Sequence, residues 1–118
     1  MHELKFSANH TIFKQGEEGR SLYIVVSGKV KVHIGDQKLA EVERGKYFGE
    51  MAVFDTQPRS ASATTMEQSE FLELTQEQLY DAIEETPEIA VNIIRELSRL
   101  IRRLNQNMNV SNSHNVEN

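Results

Sequence analysis

Residues 48–65 read Phe48-Gly49-Glu50-Met51-Ala52-Val53-Phe54-Asp55-Thr56-Gln57-Pro58-Arg59-Ser60-Ala61-Ser62-Ala63-Thr64-Thr65, and the rest of the chain is organised around them. A flexible Phe48-Gly49 step opens the run. Glu50 to Phe54 has the composition for a turn or two of helix, Asp55 to Pro58 makes a turn, and Arg59 heads a strand of small residues. A helix start offers unpaired N–H donors, and a guanidinium fork matches the oxygens of a phosphate. Glu50 is an acceptor for the hydroxyls of a sugar. One short loop therefore carries the means to hold a phosphate and a sugar together.

Upstream, the chain alternates. Leu22, Ile24 and Val26 alternate with Tyr23 and Val25, a strand with at least one buried face that Ser27-Gly28 breaks. Val30, Val32 and Ile34 alternate with Lys29, Lys31 and His33, a half-exposed strand with histidine on its polar face. Gly35-Asp36 closes a hairpin whose return strand carries Leu39, Ala40 and Val42. Thr11-Ile12-Phe13 begins another strand, while the residues before it hold few signals. Gln15 to Gly19 and Gly45 are turns. Downstream, Ser60 to Met66 and Phe71 to Leu74 read as two further short strands. Periodicity alone predicts a small antiparallel β domain with a helical tail.

That tail is legible residue by residue. Thr75-x-x-Gln78 is a capping box opening a helix with Leu79 and Ile83 inward. Thr86-Pro87-Glu88 starts a second helix running to about 108, with Arg95, Arg99, Arg102 and Arg103 toward its C-terminal half. Ile94, Ile101 and Met108 recur at heptad spacing, and so do Ala90, Leu97 and Leu104, the a/d pattern of a parallel two-stranded coiled coil. Ile93 and Leu100 lie beside that seam and are suited to the domain's own core, and the whole stripe admits the same reading. The width of the stripe favours self-association through Ile94, Leu97, Ile101, Leu104 and Met108. After Leu104 the asparagine-rich sequence cannot bury a core, so 109–118 is expected to be a disordered polar tail.

Phe48-Gly49-Glu50-x-Ala52 followed by Pro58-Arg59-Ser60-Ala61 resembles the phosphate-binding cassette of cyclic-nucleotide-binding domains. These occur in catabolite-activator-like transcription regulators, in regulatory subunits of cAMP-dependent kinase and in cyclic-nucleotide-gated channels. The resemblance implies a mainly β, α+β fold: an antiparallel eight-stranded, jelly-roll-like β-roll over about 1–74, then a short helix over about 76–85 and a long one over about 87–108. It implies a single domain over 1–108 and a cyclic mononucleotide ligand, cAMP first and cGMP as the alternative. Arg59 would hold the cyclic phosphate and Glu50 the ribose 2′-hydroxyl. Gly49, Met51 and Ala52 would offer backbone N–H groups beside Phe48, Ser60 its hydroxyl and Ala61 its backbone. Val32 and Leu39 correspond to positions lining the base, although both are equally good core residues by pattern. Without the motif, Arg59 would read as a surface arginine paired with Asp55, and Glu50 as a first-turn acid. Met51 and Val53 stand where leucine is common in the cassette, and Ser60 does not decide between cAMP and cGMP.

The remaining features exclude more than they assign. The chain of 118 residues has room for one domain with a modest core. Its net charge of −5 is a poor match for nucleic acid, so no direct DNA binding is expected; the arginines of the long helix read as a solvated flank. No apolar run is long enough to span a bilayer, no signal peptide is evident, and no helix-turn-helix follows the long helix. The absence of cysteine fits a reducing, cytoplasmic setting and leaves no thiol chemistry. His2, His10, His33 and His114 are scattered, so neither a metal site nor a catalytic triad is expected. The protein reads as a non-enzymatic sensor without a cofactor. A degenerate dimerisation or protein-interaction module is the rival, and the intact Glu50 and Arg59 weigh against it.

Overall fold

Short alternating segments become strands β1 (His2–Phe6), β2 (Thr11–Phe13), β3 (Ser21–Ser27), β4 (Lys29–Ile34), β5 (Gln37–Glu43), β6 (Tyr47–Phe48), β7 (Ser62–Thr65) and β8 (Ser69–Thr75) in a computed structural model that describes residues 2–112. They form two four-stranded sheets, ordered β1-β8-β3-β6 and β2-β7-β4-β5, with every pairing antiparallel. This is the eight-stranded antiparallel roll that the resemblance implies.

The buried cluster takes residues from both sheets: Tyr23, Val25, Phe48 and Phe71 from one, and Val30, Val42 and Ala63 from the other. Pleating decides which side of β3 joins it. Tyr23 and Val25 point into the cluster, whereas Val26 is exposed. The β4–β5 hairpin closes on Gly35-Asp36 with Ile34 opposite Gln37, and its register slips between Val32 and His33. His33 is not the free surface histidine that its strand position suggested. It is half-buried, with Nδ1 2.8 Å from Gly35 O and Nε2 2.8 Å from Thr64 Oγ1.

By chain contacts the molecule divides into two units, one ending at Tyr80 and one beginning at Asp81. Helix α1 (Glu50–Asp55) follows β6 in the first unit, and α2 (Gln76–Glu85) follows β8 and runs across the boundary at Tyr80. The capping box is formed reciprocally: Gln78 N donates to Thr75 Oγ1 at 3.2 Å and Thr75 N donates to Gln78 Oε1 at 3.0 Å. Leu79 is buried beneath it. In the second unit, α3 spans Glu88–Asn112. It begins one residue after the expected start and continues past the expected end near 108. Asparagine and serine cost only about 0.5 kcal/mol each in a helix, and elongating a helix is far easier than nucleating one. Ile93 is buried, Leu97 is half-buried, and Ile94, Ile101 and Leu104 are exposed. The side chains of Leu100 and Met108, and residues 113–118 of the expected tail, lie outside the described residues.

Candidate functional site

The site grows from a strained step in the backbone. Gly49, immediately before α1, has φ 84° and ψ 7°, a left-handed conformation that costs side-chain-bearing residues roughly 1 kcal/mol or more. A Cβ at Gly49 would also lie 2.9 Å from Arg59 Nη1 and 3.3 Å from Ser21 O. The position thus needs glycine for conformation and for space. α1 buries Ala52 and Val53 and turns Met51 and Phe54 outward. Thr56, also left-handed at φ 56°, ends it by donating its N–H to Ala52 O at 3.2 Å.

Arg59 lies beyond the turn. Its backbone is held by the preceding loop, with Arg59 N donating to Glu17 O at 2.8 Å and Gly16 N donating to Arg59 O at 2.8 Å. The side chain is 5% exposed. Its Nη1 donates to Gly49 O and its Nη2 to Ser21 O, both at 2.9 Å. Cζ lies 4.1 Å from the centroid of the Phe13 ring and 5.9 Å from that of Tyr23. Among the described residues, none supplies a carboxylate within 4.0 Å of the guanidinium, and Nε is buried without an acceptor. The surface ion pair with Asp55 does not form; Asp55 Oδ1 accepts from Gln57 N at 2.9 Å and stabilises the turn instead. Burial pulls the guanidinium below its ordinary pKa, opposed by the phenol of Tyr23 and the carboxylates of Glu73 and Glu17.

Glu50 is the acid at the other end of the loop. Burial raises its pKa above the usual carboxylate range, while a hydrogen bond from its own backbone N–H and the field of Arg59 pull the other way. The Tyr23 hydroxyl lies 3.3 Å from Glu73 Oε2, and burial raises its pKa as well.

Not every residue of the expected site presents its side chain here. Gly49, Arg59 and Ser21 O meet directly, and Ala52 and Ala61 are buried close by in sequence. Phe48 turns into the core, stacked on Tyr23 at 5.3 Å and edge-on to Phe71 at 5.6 Å, and it pairs with Tyr23 across β3 and β6. Ser60 is exposed, with its hydroxyl 3.8 Å from Met51 Sδ. Val32 packs against the core, whereas Leu39 is 51% exposed on β5. The sequence reading missed Phe13, Gly19 and Tyr23, which surround Arg59. Phe13 and Tyr23 looked like ordinary alternating strand residues and Gly19 like an ordinary turn.

Residues 3–86 match the family profile of the cyclic nucleotide-binding domain. The chain belongs to the cyclic nucleotide-binding domain family. Within that family it is 35% identical over 113 residues to a CRP-like cAMP-activated global transcriptional regulator of Mycobacterium tuberculosis, covering 92% of this chain and 50% of the regulator. It is 44% identical over 62 residues to a cGMP-dependent protein kinase of Plasmodium berghei, covering 52% of this chain and 7% of the kinase. Among solved structures, the catabolite activator protein of Thermus thermophilus superposes with a TM-score of 0.86 at 32% identity, covering 94% of this chain and 55% of that one. The chain thus spans about half the length of such regulators. Among the described residues, no cluster of three or more His, Asp or Glu could hold a metal ion, and no helix is long and apolar enough to cross a membrane.

Proposed function

We propose that this cyclic nucleotide-binding domain is a receptor for a 3′,5′-cyclic mononucleotide, cAMP first and cGMP as the alternative, and not an enzyme. The observation that carries the reading is the state of Arg59: a buried cation held by two carbonyls and an aromatic face, with no described residue accepting from its Nε–H or placing a carboxylate within 4.0 Å of it. Burying a charge costs several kcal/mol, and a carboxylate is its usual companion. Here the positive charge is retained for an anion. A cyclic phosphate diester carries one negative charge and oxygens spaced for a guanidinium. Glu50, already lifted by burial, gains an acceptor's role with a ribose 2′-hydroxyl. Gly49, Met51 and Ala52 contribute backbone, Ser60 its hydroxyl, and Val32 and Leu39 an apolar edge for the base.

The output would be two-state, with the ligand favouring one arrangement of the cassette and the C-terminal helices carrying the change onward. Residues 1–108 would act as one sensing domain, working on an effector supplied in trans or by adjoining sequence, in the reducing cytoplasm that the cysteine-free composition suits. The exposed Ile94, Ile101 and Leu104 of α3 support self-association through that helix, with Leu97 and Met108 continuing the seam. The same stripe supports the rival reading, a module that dimerises without ligand. Calorimetric titration with cAMP and with cGMP separates the two: a receptor gives saturable heat with at least one nucleotide and returns it chemically unchanged, whereas an interaction module gives none.

A further inference from the structure

The guanidinium of Arg59 is wedged as well as hydrogen-bonded. A Cβ built on Gly19 would lie 2.5 Å from Nε, 2.6 Å from Nη2 and 2.7 Å from Cζ, distances that real side chains do not tolerate. Gly19 is not among the glycines with positive φ, so its backbone admits alanine, which fits only by pushing the Arg59 guanidinium aside. Gly49 is different, because its φ of 84° requires glycine as well. The side of the guanidinium facing Gly19 includes Nε, the donor that no described residue satisfies. Phe13 lies against a face of the same group, with its ring centroid 4.1 Å from Cζ.

Resting on the receptor reading above, we infer that Phe13 and Gly19 are positioning residues for Arg59, seating its guanidinium in the orientation from which it meets the cyclic phosphate. The chemistry favours this pair over an acidic partner. A carboxylate would fix the guanidinium but cancel the charge on which the ligand depends. An aromatic face attracts a cation through its quadrupole and leaves the net charge intact. Backbone carbonyls behave likewise, so the Gly49 O and Ser21 O contacts complete a seat that holds the cation without neutralising it. Gly19 supplies what neither provides, a backbone without a side chain that lets the guanidinium sit close against it.

The test is a nucleotide titration of the full chain with Phe13→Leu, Phe13→Tyr, Gly19→Ala and the double variant Phe13→Leu/Arg59→Ala, alongside the Nε–H resonance of Arg59 by NMR. Phe13→Leu is expected to weaken cAMP binding ~5- to 20-fold, the range of a desolvated cation–π contact, while Phe13→Tyr, which keeps the ring, stays within ~2-fold of the parent. Gly19→Ala is expected to weaken it at least as much as Phe13→Leu. In the Arg59→Ala background the Phe13→Leu loss should vanish, because no cation remains to be seated. The Nε–H signal should be slow to exchange in the ligand-free protein, shift on adding cAMP, and broaden or disappear in Phe13→Leu. Unchanged affinity in Phe13→Leu and Gly19→Ala, or equal Phe13→Leu losses with and without Arg59, would overturn the inference while leaving the receptor reading intact. Should the parent chain bind neither nucleotide, the receptor reading fails, and an Nε–H signal identical in parent and Phe13→Leu overturns the seat independently.

Discussion

The cluster between the two sheets and the corner around Arg59 share Tyr23 and the flanking Phe13, yet they are built on opposite terms. In the cluster, Val25, Val30, Ala63 and Phe71 are almost wholly buried and bring no polar side-chain group with them. Where that layer does bury a hydroxyl it is answered: Thr65 Oγ1 donates to Ser7 O at 2.7 Å and accepts from His10 N at 2.8 Å. At the corner, a guanidinium is also buried, with an N–H that no described residue answers, beside a left-handed glycine and a carboxyl lifted by desolvation. The first arrangement secures the fold. The second leaves a buried donor unanswered, the feature on which the proposed nucleotide site rests.

The comparison breaks most sharply in stability. Phe71→Ala should cost about 3–5 kcal/mol, the usual loss for a buried aromatic, and a denaturant melt should show it whether or not nucleotide is present. Arg59→Ala should weaken nucleotide binding by about 2–3 kcal/mol, the scale of a lost charge-assisted hydrogen bond. If that variant melted far below Phe71→Ala and bound normally, the corner would be structural and the contrast false. Glu50→Gln sharpens the contrast because its two effects have opposite signs. Burial lifts the folded pKa of Glu50 above its unfolded value, so its stabilising influence is complete below the ordinary carboxylate range and is lost as pH rises through the raised value. Removing the charge should therefore raise the melting temperature at neutral pH by ~2–5 °C and flatten its decline between acidic and neutral pH. The same change should weaken nucleotide binding ~5- to 10-fold, as a neutral acceptor replaces a charged one. A variant less stable at neutral pH than the parent would contradict the assignment. Leu39→Ser is the smallest: at 51% exposure it should change stability by less than about 0.5 kcal/mol, and any larger effect on affinity would come from the base.

Much of the fold was legible because its signals are local. A two-residue Gly35-Asp36 loop fixes the β4–β5 register, and Thr75 with Gln78 announces α2 from four residues. What escaped lacks such signals. β1 alternates weakly and owes its existence to β8, pairing Leu4 with Phe71 across most of the first unit's sequence. β6 is two residues long, too short for any period to register. At the site, Glu50 and Arg59 stood out through the resemblance of their loop to a phosphate-binding cassette; without that motif Arg59 would have passed for a surface arginine and Glu50 for a first-turn acid. Phe13 and Gly19 look ordinary in sequence, and their importance lies in distances to a residue some forty positions away. The same limit applies to His33, whose tie to Thr64 depends on a neighbouring strand, β7.

The most direct measurement of a cation held but not neutralised is a calorimetric titration of the full chain with cAMP and cGMP, repeated on Arg59→Ala and Arg59→Lys. The account predicts saturable binding to the parent, a loss of roughly thirtyfold or more in the alanine variant, and only partial recovery with lysine, which keeps the charge and loses the planar fork. Equal affinity across all three proteins would contradict it.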